Sequence, residues 1–327
     1  MTVENKAFLI SIGSIELDKQ LTLIAPQTSA TAGPGAGDRS IFIISGDHRV
    51  RLTVKEHSPL KAVPDEDGVL LLYHGEPFIS GELESPLCHC PEQAYITVSE
   101  TCIFDCKFCP VPKLHGGIKS IETIIEMVEE ASATGRLKAI SLTSGVAISP
   151  EEEVERMVEV VQALRRRFDL PIGVSVYPTR DSSRLLYDAG ADEIKYNVET
   201  MDPLIFANVC RDFSLSWILD ALRQAVLIFG KNAVFTNVII GLGEDDDTVL
   251  DGVATLASMG VIPNLRPISA SPLRTGEITV ERPSQERLLY LAKETKDILT
   301  NNGLDATKAR TMCLPCTGCD ITPFWDL

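Results

Sequence analysis

Residues 94–109 read AYITVSETCIFDCKFC, an apolar run that passes directly into a C-x3-C-x2-C segment. The first six residues are rich in β-branched and aromatic side chains and predict a strand. The segment that follows places Cys102, Cys106 and Cys109 on the loop that leaves it. A loop leaving the C-terminal end of a strand is where β/α folds carry their chemistry, so the fold turns on what comes after residue 109.

What comes after is a regular alternation. Strands are predicted at 94–99, 138–143, 172–177, 193–198, 233–240 and 262–268, with helices at 120–134, 150–168, 181–189, 214–229, 246–259 and 284–301. In the first helix Ile121, Ile124, Ile125 and Val128 make an apolar stripe at helical spacing. Ser149-Pro150-Glu151-Glu152 gives the second a cap, a first-turn proline and acids, and Pro283-Ser284 and Gly303 bracket the last. Strands alternating with such helices predict a parallel sheet with right-handed crossovers. The repeat falls short of the eight units of a full barrel, so the expected class is α/β, a partial (β/α)6 TIM-like barrel. A doubly wound open sheet is the alternative.

The flanks differ. Residues 1–87 give short β-type runs, such as Phe8-Leu9-Ile10-Ser11-Ile12 and Ser40-Ile41-Phe42-Ile43-Ile44, separated by turn clusters at 32–38 and 64–68. They predict a small β-rich N-terminal unit. Gly33-Pro34-Gly35-Ala36-Gly37 lacks the Lys-Ser/Thr of a phosphate loop, and Pro34 has no amide donor, so it reads as a connection. The barrel is expected over 88–303, and 304–327 form a Cys-rich tail.

The formal net charge is −16, which makes nucleic acid a poor partner. The run Arg165-Arg166-Arg167 falls at a helix end, where the dipole favours it. No uncharged apolar stretch reaches the roughly 18 residues of a membrane span, and the N-terminus lacks the pattern of a signal peptide. The expectation is a cytoplasmic protein with no membrane partner.

Eight of the nine cysteines fall in three tight groups, and in a cytosolic chain that favours metal ligation over disulfides. The C-x3-C-x2-C group offers three thiolates where an iron–sulfur cubane takes four ligands, leaving one iron open. Zinc is the alternative, but zinc sites usually pair two two-ligand knuckles. Near the C-terminus Cys313, Cys316 and Cys319 form C-x2-C-x2-C, again one short. Cys90 or Cys88 is the expected fourth ligand. An auxiliary cluster, a structural zinc and a mononuclear iron all remain open there. Cys210, alone after an apolar run, reads as core.

The cysteine loop, directly after the first strand of a six-unit barrel, resembles the radical S-adenosylmethionine (SAM) superfamily over roughly residues 90–310. The resemblance implies a [4Fe–4S] cluster on Cys102, Cys106 and Cys109, with SAM at the open iron and Phe108 beside it. Ser144-Gly145 is similar to the glycine-rich turn whose carbonyls take the SAM amino group, although the acid of that motif is missing. Asn197 and Glu199, two apart on one strand face, resemble the pair that holds the ribose hydroxyls in biotin synthase-like members. Gly241 and Gly243 resemble the open backbone beneath the adenine. Arg266, inward on the sixth strand, needs an anion: the SAM carboxylate, a substrate carboxylate, cluster sulfide or a structural carboxylate.

Strands four and five are most similar to the biotin synthase and lipoyl synthase branch, including the archaeal two-component lipoyl synthases. That resemblance implies sulfur insertion at an unactivated carbon, fed by a second [4Fe–4S] cluster. The reductant would be a ferredoxin or flavodoxin, and a lipoyl carrier protein and a homologous partner subunit would take part. Two other readings stay open: a different cofactor-biosynthesis or protein-modifying reaction with a structural tail metal, and a non-enzymatic iron–sulfur electron carrier.

Overall fold

The computed structural model describes every residue except Thr31, Pro34 and Asp67. The Pro34 and Asp67 positions of the two expected turns thus lie outside the described residues. The chain opens with α1 (Val3–Ile12), which corrects the reading of residues 8–12 as a β-type run. Both helix ends are fixed locally. The Thr2 hydroxyl accepts the Asn5 amide at 3.2 Å, and Gly13 turns left-handed at φ 70° with its amide on the Leu9 carbonyl. Capping and burial of Leu9 and Ile10 outweigh the β preference of the isoleucines.

Then follow β1 (Ser14–Leu17), α2 (Lys19–Ile24), β2 (Thr28–Ser29), β3 (Arg39–Ser45), β4 (His48–Val54), β5 (Leu60–Asp65), β6 (Gly68–Tyr73) and β7 (Glu76–Glu84). Their order in the sheet is β2-β3-β4-β1-β5-β6-β7. β3 also pairs antiparallel with β7, with Ile43 opposite Leu83, so the sheet closes into a small barrel. Closure removes most of the free edge. Ile15, Ile41, Val50, Leu52 and Leu71 fill it.

The second unit starts with β8 (Gln93–Thr97) and continues through α3 (Ile121–Ala133), β9 (Ala139–Thr143), α4 (Pro150–Arg165), β10 (Ile172–Ser175) and α5 (Ser182–Ala189). It is completed by β11 (Glu193–Lys195), α6 (Pro203–Val209), α7 (Leu215–Phe229), β12 (Val234–Ile240), α8 (Asp246–Ser258), β13 (Ile262–Pro267) and α9 (Gln285–Asn301). Among the described residues β8 to β13 form a six-stranded sheet in sequential order, all neighbours parallel. A doubly wound sheet reverses its order at a switch point; this one does not. β8 and β13 do not pair, so the barrel is partial. Ile140, Leu142, Val174 and Ile194 are fully buried in its main core.

β11 ends at Lys195, three residues sooner than its apolar pattern suggests. The chain beyond still pairs with β12, but Val198 N–H bonds the Thr236 hydroxyl instead of a carbonyl, and Glu199 takes φ 62°. A non-glycine residue in that region is uncommon and often marks a functional turn.

The tail crosses the N-terminal ends of the strands. Gln93 donates to the Met312 carbonyl at 2.9 Å, and the Met312 amide donates to the Ser141 hydroxyl at 2.8 Å. The Arg310 and Thr311 amides both donate to Glu193, at 2.8 and 2.9 Å. A Cβ on Gly173 would lie 2.0 Å from the Thr311 hydroxyl oxygen. Residues of β8 to β11 thus hold the tail against the barrel floor, and α10 (Cys313–Cys316) follows at once. The tail also reaches the N-terminal barrel. Lys6, fully buried, pairs with both Asp326 oxygens at 2.7 Å and donates to the Thr317 carbonyl at 2.6 Å. No helix among the described residues is long and apolar enough to cross a membrane.

Candidate active site

The cysteine loop sits above the C-terminal end of β8, held by three neighbouring loops. Ile103 N–H donates to the Val146 carbonyl at 2.7 Å, and Lys107 N–H to that of Val209 at 2.9 Å. Arg274 Nε donates to the Cys109 carbonyl at 2.7 Å and pairs with Asp105 at 2.6 Å. The Cys102 sulfur accepts the Val146 amide at 3.4 Å. Burial pushes Cys109 up to about 12. As a free thiol it keeps its proton, and a bound cation would be needed to hold it as thiolate. Phe108 is 5% exposed within the main core. Its ring packs among the core residues that carry the loop. Phe104 packs tilted against Tyr177 and edge-on against Phe213, at centroid separations of 5.1 and 4.6 Å.

Two contacts at this end escaped the sequence. The Cys210 thiol lies beside that of Cys106 and, with burial, pushes the Cys106 thiol well up. Cys210 is core, as expected, yet it belongs to the surroundings of the first cysteine set. The second is Glu153 from α4. Its buried carboxylate accepts the hydroxyls of Ser144 and Ser99, at 2.5 and 2.7 Å. The Ser144-Gly145 turn, which lacks an acid of its own, is therefore braced by one from the following helix. A Cβ on Gly145 would lie 2.1 Å from the Thr101 carbonyl, so the turn packs directly on the strand leading to Cys102.

At the end of β12 the Glu244 carboxylate accepts the amides of Gly241 and Leu242, at 2.7 and 2.8 Å, and is held by Arg287. A Cβ on Gly241 would lie 2.1 Å from the Glu281 carbonyl, whereas one on Gly243 would meet nothing. Gly243 thus leaves open space beside its backbone, while Gly241 serves chain packing.

Inside the barrel lies a cavity of about 260 Å3, lined by Glu100 but by none of the three loop cysteines. Lys195, Asn197 and Glu199 line it from the β11 segment, at successive same-face positions. Asn197 accepts the Asn237 amide at 3.3 Å and neighbours Glu199. Burial pushes the Glu199 carboxyl up to about 7, against the pull of Lys195, Asn197 and Arg266. Lys195 is 3% exposed, with the Tyr95 hydroxyl at 3.4 Å and the Cys313 sulfur at 4.0 Å.

Cys90, Cys313, Cys316 and Cys319 line the opposite end of the same cavity. Cys316 is brought down, chiefly by the neighbouring thiol of Cys90 and then by the Gly318 amide, Arg49 and Arg266. Cys90 is therefore the near neighbour of the tail set. Cys88 also borders the cavity, but no cysteine is among the groups that act on its thiol, which burial pushes up to about 11. Arg266 pairs with Asp320 of the tail at 2.8 Å and lies beside Cys319. Its anion here is a tail carboxylate, the structural one among the alternatives expected. The N-terminal barrel supplies the outer wall through Gly13, Arg51 and Thr53.

The donor chemistry suits iron–sulfur ligation, since soft thiolates are the donors of such clusters. Among the described residues no three His, Cys, Asp or Glu side chains converge at the spacing one ion requires. Neither set is preformed as a zinc tetrahedron. A cubane takes each thiolate on a different iron and accepts a wider spread.

A parallel β/α partial barrel with a three-cysteine loop above its first strand defines a class, and sequence comparison names it. Residues 96–255 match the model of the Radical SAM superfamily. The chain is 30% identical over 189 residues to biotin synthase of Geobacter sulfurreducens, covering 54% of this chain and 56% of that protein. It is 25% identical over 175 residues to GTP 3′,8-cyclase of Nautilia profundicola, covering 51% and 54%. The chain thus spans about half the length of the curated relatives it matches. In fold it is similar to methylornithine synthase, with TM-score 0.52 and 18% identity over 65% of this chain and 69% of that one. The FeFe-hydrogenase maturase of Carboxydothermus hydrogenoformans gives 0.56 and 18%, over 64% and 52%.

Proposed function

We propose that the chain is a radical SAM enzyme of the sulfur-inserting type, with SAM at the upper end of the cavity and a sulfur-donating cluster at the lower. The observation that carries this reading is the shared cavity: Asn197 and Glu199 line one end, and Cys90, Cys313, Cys316 and Cys319 the other. In this reading Cys102, Cys106 and Cys109 hold the first [4Fe–4S] cluster. When bound, such a cluster supplies one electron to SAM, whose cleavage yields a 5′-deoxyadenosyl radical able to take hydrogen from carbon. The chain's own residues do the positioning. Asn197 and Glu199 accept the ribose hydroxyls, the Ser144-Gly145 carbonyls take the amino group, and Gly243 leaves room for the adenine. The aromatic group of Phe104, Tyr177 and Phe213 shields the loop from water. The reductant is a ferredoxin or flavodoxin. An acyl group on a lipoyl carrier protein is the leading substrate, with a homologous partner subunit sharing the reaction.

A second reading keeps the radical chemistry but makes the tail metal structural, in a cofactor-biosynthesis or protein-modifying enzyme. It is favoured by the burial of Cys90 and Cys316, which restricts exchange of whatever they hold. Iron and labile sulfide per chain separate the two. Anaerobically reconstituted wild type should hold about eight irons and a Cys102→Ala/Cys106→Ala/Cys109→Ala variant about four, with sulfide lost during turnover. About four irons in the wild type and none in the variant would exclude sulfur donation from the tail.

A further inference from the structure

The cavity is cationic within an acidic chain. Lys195, Arg51, Arg266 and Arg282 line it, against Glu199 and a Glu100 already paired with Lys119. Most of these cations, and the neighbouring Arg49, have evident partners. Arg49 pairs with Glu84 and donates to the Cys316 carbonyl at 3.1 Å. Arg266 has Asp320, and Arg282 donates to the Ile10 and Ile268 carbonyls at 2.7 and 2.8 Å. Arg51 is different. Its Nε and Nη2 atoms are buried and have no hydrogen-bond partner among the described residues. A guanidinium cannot shed its charge, and buried donors left unmade are costly.

We propose that Arg51, reaching from the N-terminal barrel into the cavity, is the recognition residue for a carboxylate on the substrate. This deepens the reading of the cavity as the active site and rests on it. A guanidinium fork matches a carboxylate with two parallel donors. The backbone at Arg51 is fixed by its amide on the Gly318 carbonyl at 2.6 Å, so the side chain departs from a rigid point. His89 Nδ1, also buried without a partner, borders the same end and offers a further polar contact. Gly35 adjoins the guanidinium: a Cβ there would lie 3.8 Å from Arg51 Nη1, so the glycine leaves that edge reachable. No cysteine sulfur among the described residues accepts from Arg51 Nε or Nη2. The SAM carboxylate belongs at the cysteine loop, at the other end of the cavity. The inference gives the N-terminal barrel a part in specificity: it would select an anionic small molecule or an acyl chain ending in a free carboxylate.

The test is equilibrium binding of hexanoate, with hexanol as the neutral match, to the anaerobically reconstituted full chain. Wild type should bind hexanoate, Arg51→Met at least tenfold more weakly, and Arg51→Lys in between, with hexanol indifferent to all three. Gly35→Leu, which covers the guanidinium without touching the barrel, should also weaken hexanoate several-fold and guards against misfolding of Arg51→Met. Equal affinity across the set, or no binding to wild type, overturns the proposal. So does loss of labile sulfide in Arg51→Met, which would make Arg51 a partner of the tail cluster. Sulfur donation fails on sulfide turnover and this inference on hexanoate binding, so the two failures are distinguishable.

Discussion

Replacing Glu199 with Gln should stabilise the fold and weaken SAM binding, and it should do both in a pH-dependent way. Burial pushes the Glu199 carboxyl up to about 7 from an ordinary value of 4.5. The folded protein therefore holds a proton there that the unfolded chain has released, and stability falls as pH rises from 4.5 through about 7. At full strength a shift of this size costs about 3 kcal/mol. Water in the cavity lessens it, so Glu199→Gln should raise Tm at pH 8 by a few degrees and change little at pH 5. SAM binding runs the other way, because the ionised carboxylate is the better acceptor for the ribose hydroxyls. About one site in ten is ionised at pH 6 and nine in ten at pH 8, so wild-type affinity should rise up to about tenfold across that range. Glu199→Gln should bind SAM roughly tenfold more weakly at pH 8 and lose that slope. Equilibrium dialysis of labelled SAM against reconstituted protein, from pH 6 to 8, measures it. The variant also serves as control for titration of SAM itself. If wild type and variant show the same slope, Glu199 does not face the ribose and the assignment of this end of the cavity is wrong.

Two further outcomes test how the tail is held. Lys6→Met leaves the buried Asp326 facing only His48 at 3.0 Å and the Thr322 amide at 2.8 Å. It should cost about 3–5 kcal/mol in urea unfolding, much of it recovered when Asp326→Leu is added. Gly173→Ala drives a methyl into Thr311 at the barrel floor. It should cost about 1–3 kcal/mol and lower the iron bound by the tail, leaving the iron of the cysteine loop in place.

The barrel was legible because its elements obey local rules. The predicted helix 150–168 is observed at 150–165, with Ser149 bonding the Glu152 amide as its residue types dictate. The predicted strand 262–268 is observed at 262–267. Failures came where tertiary contacts decide. Residues 8–12 carry β-branched side chains but lie between two helix caps and on an apolar core. Glu153 reads as one more acid in a first turn, and only packing turns it back beneath Ser144. Lys195 could have been found, since it lies two residues before Asn197 and four before Glu199 on the face that points inward. The meeting of the tail with Arg51 and Arg266 was beyond the sequence, because it joins residues far apart along the chain.

The way the tail is held bears on which reading of its metal is stronger. A structural metal is most useful where little else fixes the chain, as in small domains that fold only when the ion binds. Residues 310–312 are instead bonded to Gln93, Ser141 and Glu193, and the segment beyond is tied to Lys6, Arg49 and the Arg51 amide. The floor of the cavity is thus held by protein alone, and a metal there adds little to the fold. A cluster that gives up sulfide in each reaction needs such a floor, because the scaffold has to survive its loss and accept its replacement. The cations that border these cysteines point the same way. Arg49, Arg266 and Arg282 are each anchored to protein groups as well, so the positive wall around the thiolates persists whatever occupies them. Preorganisation of this kind costs stability through buried charge and is repaid only if the site does chemistry.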